Sequence, residues 1–313
     1  MSEFLRACLD YPFLARAVGA ALLAAVLCGT VGTLAVVRRS TYVAGAVSHS
    51  VLAGIGFARF AAHAWGWTWL TPTGGAFAAA ALAAAILSGS SRRGGATRPD
   101  TVLSLLWTVG MAAGLAFMSA VPGYQEDLMG YLFGNILLVT PGDLAWMAAL
   151  AATAVGATAL LWRHVLAVAF QRDLARVRGV PTRAVDLLLA LLEAFSVVLL
   201  ARIVGVVLVI ALLAIPAATA GLAARRLAPM MVLAAALCAT TTLGGLALSY
   251  GPDWPVGPAI VLLSAGLYVA VLALRALGFP RGRGPFRAAR GAAGASACSP
   301  NRHSRVTGGT LRP

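Results

Sequence analysis

Residues 184–222 read AVDLLLALLEAFSVVLLARIVGVVLVIALLAIPAATAGL. This is a single apolar stretch broken by Arg202 and Gly205. A helix needs about 20 apolar residues to cross a bilayer, so the stretch is too long for one straight helix. Two short spans meeting near Arg202, or one span followed by a re-entrant segment, would satisfy its backbone within lipid.

The rest of the chain has the same character. Of its 313 residues, 60% are hydrophobic and only 11% are charged, where an average soluble domain carries about a quarter charged residues. Too few polar groups remain to coat a water-facing surface, so lipid is the expected solvent. Further apolar runs lie at 13–37, 41–61, 72–89, 101–121, 142–162, 228–249 and 258–277. With 184–201 and 203–222 they predict an all-α, polytopic membrane bundle of eight or nine transmembrane helices. The doubtful span is 203–222. The four cysteines are far apart and follow no C-x-x-C spacing, which excludes a disulfide framework or zinc ribbon. Cys28 and Cys238 read as small core residues. The first apolar run has no small-residue cleavage pattern before Arg38-Arg39, so it reads as a span and not as a cleaved signal.

Charge orders the loops. Arginines gather at 38–39, 92–98, 163–183, 225–226 and after Arg275, and the intervening loops near 62–71, 122–141 and 250–257 hold none. This alternation predicts an external N-terminus and a cytoplasmic C-terminus. Arg6 and Arg16 run against it, and five consistent loops outweigh them. The domain reading is an external segment over 1–12, one membrane domain over 13–278, and a disordered basic cytoplasmic tail over 279–313 whose arginines meet membrane lipid. The net charge of +14 comes without a single lysine. The placement of the arginines between apolar runs argues against nucleic acid as a partner. A P-loop needs a lysine on the terminal phosphates, so any ATP used must be bound by a separate subunit.

The longest internal loop, RHVLAVAFQRDLARVRGVPTR at 163–183, is not simply polar. Val165, Leu166, Val168, Ala169, Phe170, Leu174 and Val177 recur at near-helical intervals, and Gly179 and Pro181 end the pattern. One amphipathic helix is expected there, lying on the membrane or inserted into a groove on a partner protein.

Four stretches together resemble the permease subunits of ABC importers for zinc, manganese and related divalent metals. They are VVRRSTYVAGAVSHSVLAGIGFA at 36–58, DLMGYLFGNILLVTPGDL at 127–144, the segment Phe170–Val180 with Asp173 and Gly179, and VGVVLVIALLAIPAATA at 204–220. The second is similar to the external segment of the zinc permeases in particular. The resemblance covers roughly residues 10–277. It implies a homodimer in a bacterial inner membrane, two cytoplasmic ABC ATPase subunits, an external metal-binding solute-binding protein, and a transported divalent metal ion (zinc first, manganese or iron otherwise) with no permanently bound cofactor. It also implies that Phe170, Asp173, Leu174 and Gly179 belong to the segment that meets the ATPase. In one place the chain departs from the family. Many members carry an aspartate a few residues before the histidine of the first stretch, and Gly45 stands here instead.

His49 is the metal-competent residue of that stretch. It lies eight residues in from Thr41, roughly 12 Å deep at 1.5 Å per residue. Glu193 lies nine residues in from Ala184, roughly 14 Å deep by the same rise. Ionisable groups at such depth usually face a cavity or a partner, and imidazole with carboxylate suits Zn²⁺ or Mn²⁺. The expectation is that both face one path, with Glu193 standing in for the missing aspartate. The bland alternatives are a hydrogen bond from His49 to a neighbouring helix and a pairing of Glu193 with Arg202. Gly54, Gly205 and Pro216 are expected to serve helix packing and bending. Glu126, Asp127, Asp253, His63 and His164 are weaker candidates, and Trp254 is expected to anchor at the interface. An intramembrane enzyme would need a nucleophile–base pair or an H-E-x-x-H motif, and neither is present. A secondary, ion-coupled transporter without an ATPase remains the alternative function.

Overall fold

The computed structural model describes residues 11–90, 99–121, 134, 136–250 and 254–277. Nine helices among them are long and apolar enough to cross a membrane. In chain order these are α1 (Pro12–Val37), α2 (Thr41–Trp65), α3 (Pro72–Ser90), α4 (Pro99–Ser119) and α5 (Pro141–Leu160). Two short helices follow, α6 (Trp162–Phe170) and α7 (Arg172–Val177). The remaining spans are α8 (Thr182–Val204), α9 (Val206–Ala223), α10 (Leu227–Tyr250) and α11 (Val256–Ala276).

Local chemistry sets these boundaries. Proline opens α1, α3, α4 and α5, where its missing N–H costs nothing and its φ is already helical. Asp143 and Thr140 form a capping box at the start of α5, which satisfies two orphan N–H groups. Gly66, at φ 67°, ends α2 and returns its N–H to Ala61. Inside α1 the ladder widens into one π-helical turn at Cys28–Gly32.

The long stretch 184–222 forms two separate spans, so the region 203–222 crosses as α9. The break falls at Gly205 and not at Arg202. Gly205 sits at φ 85°, ψ 154°, a backbone region open essentially to glycine alone. Gly134 packs directly on the Val204–Gly205 backbone, in a space that a Cβ would fill. Arg202 remains helical and reaches sideways. It donates to Thr73 Oγ1 at 2.9 Å and pairs with Asp143 at 3.7 Å, tying the end of α8 to the starts of α3 and α5. Glu193 therefore has no share in Arg202.

Segment 163–183 also differs from its expected form. Gln171, at φ −143° and ψ 67°, divides one anticipated helix into α6 and α7. Val165 and Val168 turn into an apolar cluster with Leu34, Val185 and Leu227, while Phe170, Leu174 and Val177 stay exposed. A single straight helix would have to bury or expose this pattern as one stripe. Gly179, at φ 75°, makes the turn towards α8.

The spans are unequally enclosed. α1 and α8 are mostly buried within the bundle, whereas α4 and α11 are mostly exposed. The first two helices form the centre of the bundle, and the last two offer their sides to lipid or to another subunit. α2 lies between α3 and α4, and α3 packs in turn on α8. Gly54 and Gly75 bring the α2 and α3 backbones together, and Ala79 Cβ would stand 2.6 Å from any Cβ at Gly54. Pro216 lies buried within α9, which runs through it without a break. Cys28 and Cys238 are both buried free thiols.

Candidate functional site

Two places hold the chemistry, at different levels of the bundle. The first surrounds His49 on α2. Its imidazole is half-buried and stacks on the indole of Trp107 from α4, with ring centroids 4.6 Å apart and planes at 30°. Glycines make this contact possible. A Cβ at Gly110 would come within 2.8 Å of Ser50 Cα, and one at Gly114 within 2.9 Å of the Leu52 carbonyl carbon. Backbones this close are typical of small-residue helix packing in membranes. Ser50 adds a bridge, donating to Leu106 O at 3.3 Å and to Ala46 O at 2.9 Å. Gly45 lies one turn before His49 on the same face. A Cβ there would meet the six-membered ring of Trp107 at 2.6 Å. The space beside Gly45, where an acid would fall in the family pattern, is filled by the indole.

The second place is a cleft of about 480 Å³ where the α1–α2 corner, α6, α7 and α8 converge. Arg38, Arg39 and Arg172 line it together with Asp100, Asp186 and Glu193. Asp186 is buried and accepts from Arg38 Nη2 at 3.2 Å and from Arg172 Nη2. Glu193 is 2% exposed. Its Oε2 accepts from Ser40 Oγ at 3.2 Å, while Oε1 is buried without a hydrogen-bond partner. Buried carboxylate oxygens are rarely left so.

The sequence expectation placed His49 and Glu193 at one depth, and the structure separates them. Glu193 meets Ser40, the residue just before α2, and His49 lies nine residues further along, about 14 Å at the helical rise. Counting depth from Thr41 assumed that the α1–α2 corner lies level with the start of α8. It is instead drawn in beside Glu193, eleven residues along α8 from Thr182. No cluster of three or more potential ligands forms among the described residues.

The other candidates fall as follows. Phe170 and Leu174 are 48% and 41% exposed, on α6 and α7. Asp173 lies within α7, and Gly179 in the turn beyond it. His63 is exposed, His164 is half-buried, and Trp254 is exposed at the start of α11. Glu126, Asp127, Asp253, the segment 1–10, the tail 278–313 and most of 127–135 lie outside the described residues. Sequence reasoning missed Trp107, Ser40 and the Arg38–Asp186–Arg172 bridge. The one available signal was Asp186 itself, a charge near the start of a long apolar run.

The model of the family described as "ABC 3 transport family" matches residues 10–275, which takes in all the described spans but the last residue of α11. An uncharacterized membrane protein of Synechocystis is 34% identical over 275 residues, 88% of this chain and 95% of that protein. The manganese transport system membrane protein MntC of Halalkalibacterium halodurans is 31% identical over 260 residues, 83% of this chain and 86% of its own length. Among solved structures, a chain of PsaBC from Streptococcus pneumoniae in complex with Fab superposes with a TM-score of 0.75 at 27% identity, covering 86% of this chain and 94% of that one.

Proposed function

This chain belongs to the ABC 3 transport family, and we propose from that premise that it carries a divalent metal ion into the cell as the membrane-spanning subunit of an ATP-driven importer. It is a transport subunit and not an enzyme, and ATP hydrolysis belongs to a separate chain. The absence of lysine agrees with that division.

The observation that carries the reading is the inner pair of helices. α6 and α7 present Phe170 at the end of one helix, and Leu174 and Val177 three residues apart on the next, to solvent, apolar side chains that fit a groove on another protein. Arg172 ties the start of α7 to Asp186 on α8. A push on these helices therefore reaches a span at the centre of the bundle. Phe170, Asp173, Leu174 and Gly179 form the coupling segment in this reading.

The path passes His49 first and the inner cleft with Glu193 second. Two copies pack through the poorly buried side of the bundle near α4, with the path at or near their contact. That placement explains why His49 is only half-buried in one protomer. The N-terminus lies outside and the C-terminus inside. An external binding protein delivers the ion. The name of the Halalkalibacterium relative favours manganese as cargo, while the stretch 127–144 favours zinc. Iron uses similar donors.

Purification of the tagged chain from native membranes tests the assembly. A stoichiometric ATPase should accompany it, and the chain should elute as a pair. Active metal transport by the chain alone would instead support an ion-coupled carrier.

A further inference from the structure

The position of Trp107 has a consequence for which ions pass. Within one turn of His49 on its own face of α2 there is no second donor. The positions that share its face are 45, 46, 52 and 53, and they hold Gly45, Ala46, Leu52 and Ala53. Ser50 is turned away to Ala46 O and Leu106 O. One ring face of the imidazole lies against the indole. A metal ion binds an imidazole through a ring nitrogen, in the plane of the ring, so whatever fixes that plane fixes the direction from which the ion is met.

We infer that Trp107 is a specificity-determining residue of the metal path, holding the plane of the His49 ring and occupying the space in which a second donor beside Gly45 would stand. This rests on the reading that His49 lies on the path. Three contacts hold the indole and the backbone that carries it against α2. The stack itself is one. The close α2–α4 approach at Gly110 and Gly114 is the second. The Ser50 bridge to the carbonyl just before Trp107 is the third. At 39% exposure the indole also forms part of the open side of the protomer, where an ion or a second copy would meet it. The resulting site offers a lone imidazole with an apolar wall. Imidazole suits zinc, copper, iron and nickel, while carboxylate suits manganese and harder ions. Trp107 therefore biases selection towards zinc-like ions relative to manganese, whichever of them is the main cargo.

The test is competitive uptake of radiolabelled zinc and manganese by proteoliposomes that contain the complete complex with its ATPase. Wild type is compared with His49→Ala, Trp107→Phe, Trp107→Ala and Trp107→Ala/Gly45→Asp, each first shown to be monodisperse. Trp107→Phe keeps a ring on the imidazole and should keep the zinc-to-manganese ratio. Trp107→Ala should lower that ratio severalfold, because the freed space admits water and other oxygen donors that suit manganese. Adding Asp at 45 should lower it further, because the carboxylate then has room beside His49. Should Trp107→Ala fail to assemble, Gly45→Ala serves in its place. Its Cβ would press the indole off the imidazole and should lower the ratio in the same direction. A purely structural indole would change the total rate and leave the ratio alone, and that result overturns the inference while the path reading stands. Full uptake by His49→Ala overturns both.

Discussion

Asp186 holds two arginines at once, Arg38 from the α1–α2 corner and Arg172 from the start of α7. The side chain of Asp186 is 6% exposed, that of Arg38 17% and that of Arg172 44%. The bridge joins α7, the α1–α2 corner and α8 in one charged contact.

Those exposures order the effect of breaking the bridge. Asp186→Ala takes a shared carboxylate from two arginines, one of them mostly buried, and removing one partner of a buried pair costs about 3–5 kcal/mol. Arg172→Ala leaves Asp186 still paired with Arg38 and removes a half-exposed group, so it should cost about 1 kcal/mol or less. Arg38→Ala should fall between them. Thermal unfolding of the detergent-solubilised variants gives the order. An Arg172→Ala loss equal to that of Asp186→Ala would show that the bridge does not work as described.

Glu193 should separate stability from transport. Its Oε1 is buried without a partner, and a buried charge that is poorly paired is costly. Glu193→Gln keeps the shape and removes the charge, so Tm should hold or rise. Metal uptake should fall if the carboxylate serves the passing ion. A fall in both together would assign Glu193 to packing.

Phe170 and Leu174 should behave in the opposite way. They are exposed in the free protomer, so truncation to Ala should leave its unfolding free energy within about 0.5 kcal/mol of wild type. Affinity for the ATPase should drop, by about 2 kcal/mol for an anchor residue, roughly 30-fold in Kd. Titration of purified ATPase onto chain held in nanodiscs measures this. Unchanged affinity for the double variant would remove α6 and α7 from the interface.

Gly205 is a purely conformational test. Its φ of 85° and ψ of 154° are strained for any residue with a Cβ, at about 1–3 kcal/mol. Gly205→Ala should lower Tm accordingly, and more than Gly156→Ala, where a Cβ would meet nothing within 4 Å.

The spans were legible because lipid imposes a length and a composition that a sequence displays directly. The run at 13–37 and the helix Pro12–Val37 differ by a single residue at one end. The division of 184–222 was legible as a fact and misplaced by three residues. Arg202 is the conspicuous interruption, but a helix accommodates an arginine that finds Asp143 and Thr73, and only Gly205 supplies the backbone angle that ends it. The split of 163–183 at Gln171 was not legible, since nothing in the residue type announces the change of direction. The relative depth of His49 and Glu193 was not legible either. Loop arginines mark which side a corner is on and do not say how far it is drawn in along its neighbours. Trp107 required the register of α4 against α2, which glycines at 110 and 114 set and which no periodicity within either helix encodes.

The most direct measurement is uptake of radiolabelled manganese, supplied on its external binding protein, into proteoliposomes holding this chain, with and without its ATPase and ATP on the side of α6 and α7. Uptake should require both, stop when ATP is replaced by a non-hydrolysable analogue, and be lost in His49→Ala while the complex stays assembled. Manganese and zinc both entering at the full rate without the ATPase, or both failing to enter with it, would contradict the account.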